Sequence, residues 1–284
     1  MQETTPYCFE VMSLHEYAAM AASLGDGLVL VDSVFWRRVR PFFYRPLIPF
    51  QVRDPSGPKP NTALFGGVQH AVPFGCPSNS VMEFIMTESA GGYELSELEK
   101  KDAWAVRSAA KRFEIRPVTC KTDFDLYGHG VYLDFLQRTR YSYKSERRDP
   151  AKFAEWSKVV FACPKSLILG AYEGSQLCAV SISHAVMDTA YYATFFATKS
   201  ALGRHVSDLM LHNIRMAAKH TPGMRNLFAT MRHGVSGPEN FYLHRGFKVK
   251  SMPAMFRSNP LTSVILRYFF RRQYQQIVGS RLSA

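Results

Sequence analysis

The chain is poor in the residues that mark several common classes of protein. Among its 284 residues are only five cysteines: Cys8, Cys76, Cys120, Cys163 and Cys178. None lies closer than fifteen positions to the next, so the sequence has neither a C-x-x-C pair nor a disulfide framework. The nine histidines are equally dispersed. His205 and His212 fall on one face of a helical pattern, but no H-E-x-x-H and no third acidic ligand accompany them, so no metal site is expected. No apolar run approaches the eighteen or so residues of a membrane span. The opening MQETTPYCFE is acidic and polar where a signal peptide is basic and then apolar, and a cytoplasmic protein is expected. Walker loops, a G-x-S-x-G elbow and Rossmann glycines are absent, which removes the usual signs of nucleoside triphosphate hydrolysis and serine hydrolase chemistry.

Negative charge is scarce in one part of the chain. From Lys199 to the end, fourteen Lys and Arg face only Asp208 and Glu239, whereas residues 1–198 carry 21 of each sign. The net charge of +12 therefore sits in the last 86 residues. Such a one-sided field attracts phosphate-bearing partners: a nucleotide-linked cofactor, a carrier protein, RNA or an anionic membrane surface. What the chain does have, 46% hydrophobic and 20% charged residues, suits a folded protein of one large or two small domains.

Residues 28–52 are rich in β-branched and aromatic residues with interleaved arginines and read as strands broken by Pro41, Pro46 and Pro49. After the loop QVRDPSGPKPN, the runs TALFGGVQHAVPFG and NSVMEFIMTES read as further strands. The spacing of Leu95, Leu98, Ala103, Val106 and Ala110 predicts a helix leading into a strand at FEIRPVT. Two helices follow, the second with Asp149 as N-cap and Pro150 at its first position. The stretch from Ser166 to Thr198 divides at Glu173-Gly174-Ser175 and near Met187-Asp188 into a three-stranded meander. Val206, Met210, Ile214 and Ala217 then share one helical face, and Thr221-Pro222-Gly223 ends that helix. Strand NLFATM, a short helix with the S-x-x-E pair Ser236 and Glu239, and strand FKVKSMPAMF complete the order. The final PLTSVILRYFFRRQYQQIVGS reads as a basic amphipathic helix able to lie on a membrane surface but not to cross it.

The short helix carries Asn240-Phe241-Tyr242 and is closed by Gly246-Phe247. This FYLHRGF motif, with the element order from Phe113 to Met255, resembles the GCN5-related N-acyltransferase (GNAT) superfamily, whose cores commonly end in a similar motif. The length, and the passage LSELEKKDAWAVRSAAKRFEIRPV read as a join, resemble the Fem-type branch, which links two such domains. The resemblance implies an α/β fold with a GNAT-like mixed sheet flanked by helices, in two halves of which the N-terminal one is degenerate. Boundaries are expected at 1–112, 113–260 and 261–284, the last a basic helix.

The resemblance also implies the chemistry: an acyl group passes from acyl-CoA, or from an acyl carrier protein, to a small-molecule or peptide amine. Tyr242 is assigned as general acid to the leaving thiolate. Asn240 is a candidate for binding the cofactor arm, and the backbone at Phe196 and Ala197 for holding pantetheine and polarising the carbonyl. His233, just after strand NLFATM, is a candidate base, and His184 in the meander is another. The pyrophosphate is expected on the backbone of Gly203, Arg204, His205, Val206 and Ser207, at a helix N-terminus. Here the sequence SALGRH departs from the family signal: Gly203 matches its central glycine, but Ser200 replaces Gln or Arg and His205 replaces Gly or Ala. Alternatives are an aminoacyl-tRNA-dependent transferase, and a non-catalytic module binding RNA or, peripherally, an anionic membrane.

Overall fold

Strand and helix signals of the sequence become twelve strands and nine helices in the computed structural model, which describes residues 7–139, 144–232 and 236–269. In chain order these are β1 (Val11–Met12), α1 (Leu14–Ser23), β2 (Leu28–Val31), β3 (Val34–Arg40), β4 (Phe43–Pro46), β5 (Gly67–Ala71), β6 (Ser80–Thr87), α2 (Lys100–Ala110), β7 (Glu114–Pro117), α3 (Lys121–Asp123) and α4 (His129–Thr139). There follow α5 (Pro150–Phe161), β8 (Leu167–Glu173), β9 (Gln176–Val186), β10 (Thr189–Ala197), α6 (Lys199–Leu202), α7 (Val206–His220), β11 (Asn226–Met231), α8 (Ser236–Leu243), β12 (Lys248–Ser258) and α9 (Pro260–Phe269). The chain divides into two units. The larger takes residues 1–17, 86–230 and 244–247, and the smaller takes 18–85, 231–243 and 248–284.

In the larger unit the strands run in the order β11-β10-β9-β8-β7. β8, β9 and β10 form the antiparallel meander, turning at Gly174 (φ +60°) and at Met187 (φ +56°), while β10 and β11 are parallel. Helices α4 and α7 pack on this sheet. Val206, Met210, Ile214 and Ala217 of α7 are fully buried, which is the stripe that the spacing predicts. The Asp149 carboxylate accepts from the N–H groups of Ala151 and Lys152, so α5 starts where its cap and proline place it.

In the smaller unit the order is β2-β3-β4-β5-β12-β6. Val34, Trp36, Tyr44, Ala63 and Val68 form one apolar cluster and Phe43 with Phe256 another. The stretch expected as a strand from Thr62 begins instead as a 3₁₀ turn, Asn61–Phe65, and β5 starts at Gly67. Glycine is required there by close approach: a Cβ on Gly66 would lie 2.3 Å from the Phe42 carbonyl oxygen, and one on Gly67 2.5 Å from that of Arg257.

One further expectation changes. The helix predicted from Leu95 starts at Lys100, because Glu94 and Glu97 form their own reciprocal capping box around a separate 3₁₀ turn and Glu99 is extended. The join expected between 112 and 113 lies within the larger unit, where β7 pairs with β8 and α2 packs on α7. Of the expected terminal helix, α9 is described to Phe269 and the residues beyond lie outside the described ones. Leu261, Val264 and Tyr268 of α9 are exposed, as are Leu64 and Phe65, to whose turn α9 is tied by the Thr262 hydroxyl donating to the Phe65 carbonyl. No helix among the described residues is long and apolar enough to cross a membrane.

One ionic cluster ties α2 and α7 of the larger unit to the end of the FYLHRGF motif. Arg245 donates from Nε to Asp208 Oδ1 (2.7 Å) and also from Nη2 to that carboxylate, and its Nη2 lies 3.7 Å from Asp102. Both carboxylates are buried. Replacing Arg245 with Leu removes the guanidinium from both buried carboxylates and leaves Asp208 only the His205 ring, at 3.8 Å, and this is expected to cost roughly 3–5 kcal/mol in urea denaturation. A loss below about 1 kcal/mol would contradict the role given to the cluster.

Candidate functional site

Strand β10 opens away from its neighbour. Its ladder with β11 runs only from Thr189 to Tyr191. On the other edge it continues along β9 through Phe196↔Val180 and Ala197↔Ala179, and the Thr198 N–H donates to the Cys178 carbonyl at 2.9 Å. In an antiparallel ladder the hydrogen-bonded pairs alternate, so Phe196 spends its peptide groups on β9 while those of Phe195 and Ala197 point to the open side. The opening expected near Phe196 and Ala197 thus offers the backbone of Phe195 and Ala197. The Phe196 side chain is buried in an aromatic cluster with Phe124, Tyr132 and Trp156, at centroid distances of 5.3 to 6.4 Å.

The stretch from Ser200 to His205 makes a different cradle from the expected one. Thr198 Oγ1 caps α6 by accepting from the Ala201 N–H (3.2 Å). Gly203 is right-handed (φ −62°, ψ −13°), and a Cβ there would meet nothing nearer than 3.6 Å. The N–H groups of Gly203, Arg204 and His205 donate to the carbonyls of Lys199, Ala201 and Leu202. His205 carries the left-handed turn (φ +65°) before α7. Its carbonyl accepts from Asp208 and Leu209, which leaves Val206 and Ser207 as the first-turn N–H groups without a backbone acceptor among the described residues. The Arg204 guanidinium pairs with Glu173 and donates to Ser200. The His205 ring stacks edge-on against the exposed Trp104 at 5.4 Å. Asp208, a first-turn acid that would oppose a phosphate, has its charge compensated by Arg245.

The FYLHRGF motif divides into two tasks. Its Arg245-Gly246-Phe247 half belongs to the larger unit: Gly246 makes the left-handed turn (φ +80°), and Arg215 donates to the Arg245 carbonyl while stacking on Tyr93 at 3.8 Å. Phe247 is buried. Its Phe241-Tyr242 half lies on α8, in the smaller unit, with Asn240 exposed. Glu239 is buried and accepts from Arg232 Nε at 3.3 Å. The Tyr242 ring meets Phe241 edge-on at 5.3 Å, and burial pushes its phenol up to about 12. The hydroxyl therefore keeps its proton across the neutral range and cannot serve there as a base. His233 lies outside the described residues.

His184 is unsuited to proton transfer. It is buried between Tyr17 and Tyr191, at 5.1 and 5.6 Å between centroids, neither ring nitrogen has a hydrogen-bond partner among the described residues, and burial pulls its pKa down to about 4. Among the described residues no cluster of His, Cys, Asp and Glu is placed to hold a metal. Two arginines that the sequence does not single out hold the most informative positions: Arg245, and Arg45 on β4. In the sequence each is one basic residue among many, and only their distant neighbours set them apart.

No family model and no curated protein sequence matches the chain. Its structure is similar to that of FemX (10% identity, 92% of this chain and 94% of the other, TM-score 0.58). It is similar also to a DUF2156 domain from Agrobacterium fabrum (11% identity, 94% of each chain, TM-score 0.58) and to L-PGS from Bacillus licheniformis (10% identity, 98% and 100% covered, TM-score 0.52). At such identities the likeness concerns the fold. That fold is α/β, with a mixed sheet flanked by helices, and is similar to the fold of FemX.

The environment of His184 predicts a pH dependence of stability. With a folded pKa near 4 and an ordinary unfolded value near 6.5, the unfolded chain binds the extra proton first. Its contribution is complete above pH 6.5 and is lost as the pH falls towards 4, at about 1.4 kcal/mol per pH unit at most. Urea denaturation from pH 4.5 to 7.5 should show a shallower pH dependence for His184→Phe than for the parent. Parallel curves would contradict the assignment.

Proposed function

We propose that the protein is an N-acyltransferase that moves an acyl group from a phosphate-bearing donor, acyl-CoA in the first reading, to an amine. The observation that carries this reading is Tyr242, a proton-bearing phenol on the short helix of a FYLHRGF motif, in a chain whose fold is similar to that of FemX. The donor's acyl-pantetheine arm lies along the open edge of β10, and the peptide groups of Phe195 and Ala197 polarise the thioester carbonyl. The pyrophosphate meets the Val206 and Ser207 N–H groups at the start of α7. The amine nitrogen attacks the carbonyl carbon, the C–S bond breaks, and Tyr242 gives its proton to the departing sulfur. His233 takes the proton that the amine loses, and Asn240 contacts the donor arm.

A second donor is favoured by one observation. Three of the five N–H groups assigned to the pyrophosphate are already occupied within the chain, and the smaller unit carries fourteen Lys and Arg against five Asp and Glu. An aminoacyl-tRNA brings its own distributed phosphates and does not depend on that cradle; a carrier protein also presents the arm without the nucleotide. In the tRNA case the bond that breaks is a C–O ester, and the Tyr242 proton goes to the ribose oxygen.

Replacing Tyr242 with Phe tests the shared chemistry. Turnover with an amine acceptor is expected to fall roughly 10²–10⁴-fold, with melting temperature and donor affinity nearly unchanged. Unaltered turnover, or loss of the fold, would remove Tyr242 from the mechanism.

A further inference from the structure

The smaller unit contains a cation that meets no carboxylate among the described residues. Arg45 lies on β4, partly buried, and burial, with Arg40 nearby, draws its pKa down to about 10. Its Nε–H donates to Gln69 Oε1 at 3.0 Å, and one Nη1–H reaches the Met231 sulfur at 3.5 Å, a weak acceptor. Gln69 and Ser80 are both buried. Because Gln69 Nε2 donates to Ser80 Oγ at 2.9 Å, its oxygen is left to face Arg45, which fixes the guanidinium in place. Three of the five guanidinium N–H donors have no acceptor among the described residues.

The unit's carboxylates do not reach it. Asp26 is held by Arg37 at 2.9 Å, Glu83 and Glu239 by Arg232, and Asp54 accepts from Ser56. The fifth, Asp32, sits at a left-handed turn position between β2 and β3 and makes no ion pair among the described residues. The undescribed residues of the whole chain add one acidic side chain, Glu3. The neighbours of Arg45 have its own sign: Arg37 is its cross-strand partner, and Arg40 acts on its charge. A half-buried, oriented arginine among other cations gains stability when an anion completes it, and its planar fork suits a carboxylate or a phosphate.

We propose that Arg45, held by Gln69 and Ser80 beside Arg37 and Arg40, anchors an anion-binding site in the smaller unit that takes a carboxylate or phosphate group of the acceptor substrate. That the ligand is the acceptor rests on the transferase reading. The anion site itself does not, and it is tested without turnover. The acceptor would then be an amine that also carries an anionic group, such as an amino acid, a peptide with a free carboxylate or a phosphorylated amine.

The test is thermal unfolding of the full chain and of Arg45→Met, in zwitterionic buffer with sodium phosphate or sodium succinate against sodium chloride at equal ionic strength. The parent is expected to melt about 3 °C or more higher with one of the two anions than with chloride, and Arg45→Met to show no such rise. Without added anion, Arg45→Met should melt at or above the parent, because a neutral side chain there removes an uncompensated charge. A response to phosphate alone assigns a phosphorylated ligand, and one to succinate alone a carboxylate. Equal responses in both proteins, or none in the parent, overturn the proposal. So does an Arg45→Met protein that melts well below the parent or fails to fold, since the arginine would then be serving the fold. Arg45→Lys, which keeps the charge but not the fork, should lose most of the response while melting like the parent. Loss of transferase activity in Tyr242→Phe would leave all these outcomes unchanged.

Discussion

The pairing of Arg245 with Asp208 and Asp102 is the constraint on which the larger unit depends. It joins the end of the FYLHRGF motif to α7 and, more loosely, to α2, and it does so with charges withdrawn from water. Such groups tolerate no loss of a partner, so the position of the Gly246 turn is fixed against α7. The same contact has an electrostatic effect at the start of α7. Asp208 occupies the first turn, where an acid favours the helix dipole but repels a bound anion. With Arg245 on its carboxylate, the repulsion is compensated and the N–H groups of Val206 and Ser207 remain to attract negative charge.

The rest of the candidate site uses backbone in the same economical way. β10 leaves β11 after Tyr191, and the alternation of its ladder with β9 turns two peptide groups towards the gap. Beneath, Phe196 is locked among Phe124, Tyr132 and Trp156, so the strand edge that carries those groups is held from the core side. The strand edge thus leaves polar backbone unpaired on a packed core, and the proposed acyl transfer would use those groups at the carbonyl.

Local signals are legible in the amino-acid order alone. Asp149 and Pro150 start α5, Gly174 turns β8 into β9, the stripe on α7 faces inward, and the motif around Tyr242 with the element order indicates the fold. What the sequence hides is set by distant contacts. Nothing near Arg45 or Arg245 in the chain says that, among the described residues, one meets no carboxylate and the other meets two, since Asp208 is 37 positions from Arg245. The placement of β12 between β5 and β6 is equally non-local. The cradle misleads for a local reason: Gly203 looks like the residue that allows close approach, but it adopts an ordinary helical conformation and the left-handed position falls on His205. The charge asymmetry is visible in the sequence, while its concentration in the smaller unit, as a net +9 of the total +12, follows from the way the chain crosses between units.

Calorimetric titration of the protein with coenzyme A, acetyl-CoA and a long-chain acyl-CoA, at low and moderate salt, decides whether the start of α7 holds a donor's phosphate. Saturable binding of at least one of them is expected, weakened by salt as a phosphate at α7 requires. Absence of binding to all three at both salt concentrations would contradict a CoA-linked donor and leave α7 without the anion assigned to it.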